Sequence, residues 1–146
     1  MKAALRMAPV LLAAAILCAA VAARSRAADE DLDTRPAMAA MQSWLGGLDG
    51  GLYAESWDEA AELFRQSISR DKWEDRVAGM RAPLGVMISR KVRSAVYASE
   101  LVNAPPGPYV VAEFETRFAS RPFAIEVLTA KREADGSWKV SGYLVR

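Results

Sequence analysis

Two charged residues sit where the surrounding pattern is apolar. Arg90 shares one side of an alternating run with Val92, Ser94 and Val96, and Glu126 shares one side of another with Ala124, Leu128 and Ala130. A planar guanidinium and a carboxylate facing each other across a sheet could pair bidentately, hold a polar ligand together, or simply lie on a wet face. The sequence leaves all three readings open. Glu113, Glu115 and Arg117 alternate with Val110, Ala112, Phe114, Thr116 and Phe118. Two nearby carboxylates can do acid–base work or hold a metal, but this spacing reads first as the solvated side of a half-buried strand. Tyr53, Trp57, Trp73, Phe114, Trp138 and Tyr143 either line a cavity for an apolar or ring-shaped ligand or form the core, and the helical stripes that carry Trp57 and Trp73 favour the core. Arg90, Glu126, Tyr53 and Trp57 are the candidate ligand-binding residues. Arg81, Arg90, Lys91 and Arg93 invite an anion site, yet basic clusters more often dress a surface. The Gly46-Gly47 and Gly50-Gly51 doublets lack phosphate-loop spacing and read as stop and turn signals.

Other chemistries are excluded by composition. The chain has 146 residues and no histidine, which removes the commonest general base and metal ligand. Its single cysteine, Cys18, lies in an N-terminal apolar run. That run, Met7 to Ala23, follows Lys2 and Arg6 and precedes small residues, the layout of a secretory signal, and is shorter than the ~20 residues of a spanning helix. Leu17 before Cys18 argues against a lipid-attachment site. Residues 1–23 are therefore expected to be removed, leaving an exported chain, periplasmic or secreted, without cysteine, without disulfides and without membrane attachment. Neither a metal nor a cofactor is expected. Losing Lys2 and Arg6, and with a later cut near Ala27 or Ala28 also Arg24 and Arg26, turns the formal charge of +1 mildly negative, so nucleic acid is an unsuited partner.

The remaining chain must position the candidates. Residues 24–36, including the run Ala27–Arg35 (AADEDLDTR), read as an acidic tether, and residues 37–146 as one domain. Met38, Met41, Leu45 and Leu48 mark a first amphipathic helix that opens at Pro36 and stops at Asp49-Gly50-Gly51. Tyr53, Trp57, Ala60, Ala61, Phe64 and Ile68 predict one continuous second helix, and a third starts after Ser69 as N-cap, with Trp73, Val77 and Met80 inward and Pro83 at its end. The period then changes. Four runs rich in Val, Ile, Tyr, Phe and Thr, from 84 to 99, 109 to 119, 123 to 133 and 138 to 145, predict an antiparallel meander with a tight hairpin at Asp135-Gly136. The class is α+β: three N-terminal helices packed on one face of a curved four-stranded antiparallel sheet.

Several of these segments resemble a known family. LYAESWDEAAELFR from Leu52, Trp73, RAPLGVMISRKVRSAVY from Arg81, PPGPYVVAEFETRF from Pro105 and DGSWKVSGYLVR from Asp135 look like domain-of-unknown-function family 4019, exported bacterial proteins. The architecture is also similar to the nuclear transport factor 2-like cone, which hosts enzymes, ligand binders and dimerisation modules alike. The resemblance says nothing of activity; the leading expectation is a non-enzymatic exported domain that binds a small ligand or an envelope protein through the cone or the sheet, with a sheet face able to form a homodimer, as in many cones of this type. The alternative is an acid–base enzyme of isomerase or dehydratase kind with Glu126 or a buried tyrosine as base. An accessory role in envelope assembly is a third reading.

Overall fold

A computed structural model describes residues 33–146; the expected signal peptide, 1–23, and tether residues 24–32 lie outside the described residues. Four helices precede four strands among the described residues: α1 (Arg35–Asp49), α2 (Tyr53–Glu59), α3 (Glu62–Ser67), α4 (Arg70–Arg81), β1 (Met87–Ala98), β2 (Tyr109–Phe118), β3 (Ala124–Arg132) and β4 (Trp138–Val145). In α1 a proline occupies the first turn, where its missing N–H costs nothing, and Ala37, Met41, Trp44, Leu45 and Leu48 form the buried stripe. Gly51, at φ 77°, turns the chain out of it.

The expected second helix is two helices. Ala60 and Ala61 leave helical geometry for extended backbone, with ψ of 163° and 150°, and the Ala61 N–H donates to the Val140 carbonyl of β4 at 2.8 Å. Both alanines are fully buried. Their small side chains let the backbone approach the sheet closely enough for that bond, and a continuous helix would leave no N–H free to donate there. The apolar spacing predicted the stripe correctly but could not reveal the break. Ser69 does occupy the N-cap position of α4, but its hydroxyl makes no capping bond; its carbonyl accepts from the Trp73 N–H at 2.9 Å.

The strands pair in sequence order, each antiparallel to the next. At the last hairpin Gly136 takes φ 85°, and the Asp135 carboxylate accepts from the Ser137 N–H at 2.9 Å. β2 alternates as its sequence predicts: Val110, Ala112, Phe114, Thr116 and Phe118 are buried, while Glu113, Glu115 and Arg117 lie on the other side. The inner face packs against the helices around Met41, Trp44, Leu45, Trp73, Phe114 and Leu128.

Strict alternation fails in β1. The register against β2 shifts between Met87 and Ser89 and again between Val92 and Ser94, and each shift inserts one extra residue. An extra residue flips every following side chain to the other face. Arg90 therefore faces inward opposite Thr116, whereas beyond the second bulge Ala95 and Tyr97 pack against the core and Val96 is 59% exposed. Arg90 and Val96 do not share a face, contrary to the expectation from period two.

Candidate functional site

Arg90 and Glu126 meet. The Arg90 Nε–H donates to Glu126 Oε2 at 2.6 Å, and the Glu126 side chain is fully buried. They belong to a larger group drawn from six elements: Asp49 at the end of α1, Arg81 at the end of α4, Arg90 on β1, Thr116 on β2, Glu126 on β3 and Tyr143 on β4. Glu126 Oε1 accepts from Arg81 Nη1 at 3.2 Å and from the Tyr143 hydroxyl at 2.7 Å. Its Oε2 accepts from Arg90 and from the Thr116 hydroxyl at 2.5 Å. A carboxylate offers about four lone-pair positions, and here all are used.

Asp49 closes the group from the helix side. Arg90 forks onto it, with Nη1 at 2.7 Å from Oδ2 and Nη2 at 3.0 Å from Oδ1, and Arg81 Nη2 also donates to Oδ1. A carboxylate at a helix C-terminus is repelled by the helix dipole, so Asp49 needs these cations; Arg81, a cation at the end of α4, is favoured there. Two guanidiniums and two carboxylates balance, and among the described residues every buried side-chain nitrogen and oxygen has a partner. The Arg81 guanidinium also lies 5.3 Å from the centroid of the Phe118 ring.

Burial alone opposes the Arg90 cation, but the hydrogen bonds and charges of Asp49 and Glu126 outweigh it and hold its pKa above the ordinary arginine value. Arg81 is raised in the same sense: burial works against it, and Tyr143, Asp49 and Glu126 prevail. Burial, then the charge of Glu126, pushes the Tyr143 phenol well above its ordinary range, so it remains a donor. A group whose folded pKa is raised stabilises the fold fully below its unfolded pKa and loses that contribution as pH climbs toward the folded value. For tyrosine the loss starts near pH 10, up to ~1.4 kcal/mol per pH unit. Denaturant melts between pH 9 and 11 are expected to show a decline that is shallower by about this amount in Tyr143→Phe.

The aromatic residues divide. Trp44, Phe64, Trp73 and Tyr143 pack edge to face or tilted, with centroids from 4.9 Å (Phe64–Trp73) to 6.5 Å (Trp44–Phe64). Ser56 serves both indoles: its carbonyl accepts from Trp44 at 2.7 Å and its hydroxyl from Trp73 at 2.9 Å. Trp57 is half-buried on the edge of this core, donating to the Ile68 carbonyl at 2.8 Å, with the Arg65 guanidinium 6.0 Å from its ring. Tyr53 instead lines a groove of about 460 Å³ with Leu48, Asp49, Arg81 and Met87. The four candidates are thus not one cluster: Arg90 and Glu126 touch, Tyr53 borders the same Asp49 and Arg81, and Trp57 is not among the residues lining that groove.

The family model described as "Protein of unknown function (DUF4019)" matches residues 40–143, a span that includes all six members of the buried group. The chain belongs to the DUF4019 family. No curated protein matches it. Within this DUF4019 domain, Asp49 and Arg81 are the site residues that sequence patterning passed over, one as a helix stop and the other as surface charge. An available signal was the aspartate at a helix C-terminus, which needs a counter-ion. Lys91 and Arg93 do fit the surface reading: they are exposed and pair with Glu115 at 3.0 Å and Glu113 at 3.5 Å.

Proposed function

We propose that this DUF4019 domain is an exported, non-enzymatic binding module, with the groove beside Asp49, Arg81 and Tyr53 receiving either a small ligand or a segment of an envelope protein. The observation that carries this reading is the saturation of the buried charges. Glu126 spends its four acceptor positions on Arg81, Arg90, Thr116 and Tyr143, so it shapes a wall and has no lone pair left to take a proton from a substrate. Tyr143, held as a donor by burial, is equally unsuited as a base near neutrality. Asp49, 16% exposed, and Arg81 are the members that border the groove, beside the apolar surfaces of Leu48 and Met87. Such a lining suits a compact ligand with an apolar body and one hydrogen-bonding group.

Export is supported by the charge, apolar run and small-residue layout of the first residues. A cone of the nuclear transport factor 2-like kind is supported by helices packed on one face of a meander that is bulged in β1 and β4. Native mass spectrometry of the protein recovered from its own envelope tests the binding reading. A retained molecule or partner segment, lost in Tyr53→Ala, is the expected result; bare protein in every preparation, with Tyr53→Ala indistinguishable, would contradict it.

A further inference from the structure

The end of the sheet away from the Asp135-Gly136 hairpin carries three exposed apolar side chains on two neighbouring loops and the start of β1. Val86 is 74% exposed, Ile88 55% and Phe123 83%. Ile88 is the extra residue of the first β1 bulge, and Val86 follows Gly85, whose φ is 76°. The two loops are tied together: the Ala119 N–H donates to the Val86 carbonyl at 2.9 Å and the Ser120 N–H to the Leu84 carbonyl at 2.9 Å. The apolar side chains are therefore held outward by a fixed backbone.

Charge is segregated here as well. Residues 84–94 and 116–125 contain Arg90, Lys91, Arg93, Arg117 and Arg121 and no acidic residue. Arg90, Lys91 and Arg93 are engaged by carboxylates from neighbouring segments, whereas Arg117 and Arg121 are exposed on either side of the Phe118–Ser120 turn. A hollow of about 260 Å³ lies beside Phe123, bordered by Ser89, Lys91, Glu115, Arg117 and Pro122, with Glu115 paired to Lys91 at 3.0 Å.

We propose that this tip docks on an anionic phospholipid surface, with Val86, Ile88 and Phe123 entering the interface and Arg117 and Arg121 facing headgroup phosphates. Exposed apolar side chains flanked by Arg117 and Arg121, with the neighbouring Glu115 carboxylate paired to Lys91, complement such a surface. This is a peripheral contact and not a span: no described helix is long and apolar enough to cross a membrane. The tip adjoins the groove, whose lining includes Val86, but Ile88, Phe123, Arg117 and Arg121 lie outside that lining, so variants at Phe123, Arg117 and Arg121 test the tip separately.

Vesicle co-sedimentation of the protein as recovered from the cells that make it tests the proposal, using phosphatidylglycerol-rich vesicles against phosphatidylcholine alone. Binding to the anionic vesicles is expected, weaker by about tenfold on phosphatidylcholine and in added salt. Phe123→Ser and Arg117→Glu with Arg121→Glu should each reduce it by about tenfold or more. All three positions are exposed, so unchanged denaturation midpoints are expected and confirm that folding is intact. Equal binding by wild type and variants, or no binding to anionic vesicles, overturns the proposal. So does a dimer in solution that Phe123→Ser abolishes without any vesicle binding, which would assign the tip to a second copy of the chain.

Discussion

Glu126→Leu is expected to lower the unfolding free energy by about 3–5 kcal/mol, a large part of what a domain of this size has. The removed carboxylate accepts from Arg81, Arg90, Thr116 and Tyr143, so its loss takes the shared acceptor from four donors and leaves the Thr116 and Tyr143 hydroxyls without the partner they donate to. Asp49 would then face two guanidiniums alone. Leucine is close in volume, so the loss reports unpaired charge more than a cavity. Replacing every member of the group with apolar side chains would cost far less than removing one, because desolvation of the charges disappears together with their attraction. Urea unfolding followed by tryptophan fluorescence measures this. The midpoint should fall with little change in slope, since the native fold is retained.

Trp73→Ala should be comparably severe, about 3–5 kcal/mol. Trp73 is 2% exposed, contacts the rings of Trp44, Phe64 and Tyr143, and donates to the Ser56 hydroxyl. Alanine leaves a void that this packed neighbourhood cannot close. Trp57→Ala is the informative comparison. Its ring is half-buried at the edge of the core, so the same substitution should cost clearly less in the same unfolding assay. Equal losses would mean that Trp57 is as central as Trp73.

The parts of the fold visible in the sequence are those set by simple periods. The β2 alternation, the meander order and the Asp135-Gly136 hairpin follow from side-chain spacing and turn chemistry, and the structure has them where the residues place them. The break at Ala60-Ala61 was hidden because two alanines continue a helical stripe as well as they permit a close approach to β4. The β1 bulges were hidden because an inserted residue leaves no mark in composition; their effect is that the phase read from Arg90 does not carry through to Val96. At the site, Glu126 was legible because it interrupts the apolar inner side of β3, whereas the run that placed Arg90 changes face at the second bulge and has Val92 and Val96 exposed. Asp49 and Arg81 were not, because each lies at a helix end, where charge is common and only the tertiary fold decides whether it is buried. Tyr143 was legible as an aromatic residue, but its bond to Glu126 depends on the β3–β4 register.

The coupling between Arg90 and Glu126 bears most directly on whether the buried charges act as one structural unit. A double-mutant cycle with Arg90→Met, Glu126→Leu and the double variant measures it by urea unfolding. If the two side chains are one buried pair, the double variant loses less than the sum of the single losses by about 2–3 kcal/mol. Single losses that add to within about 0.5 kcal/mol would mean that the two groups act independently, and the reading of Glu126 as a saturated structural carboxylate would be wrong.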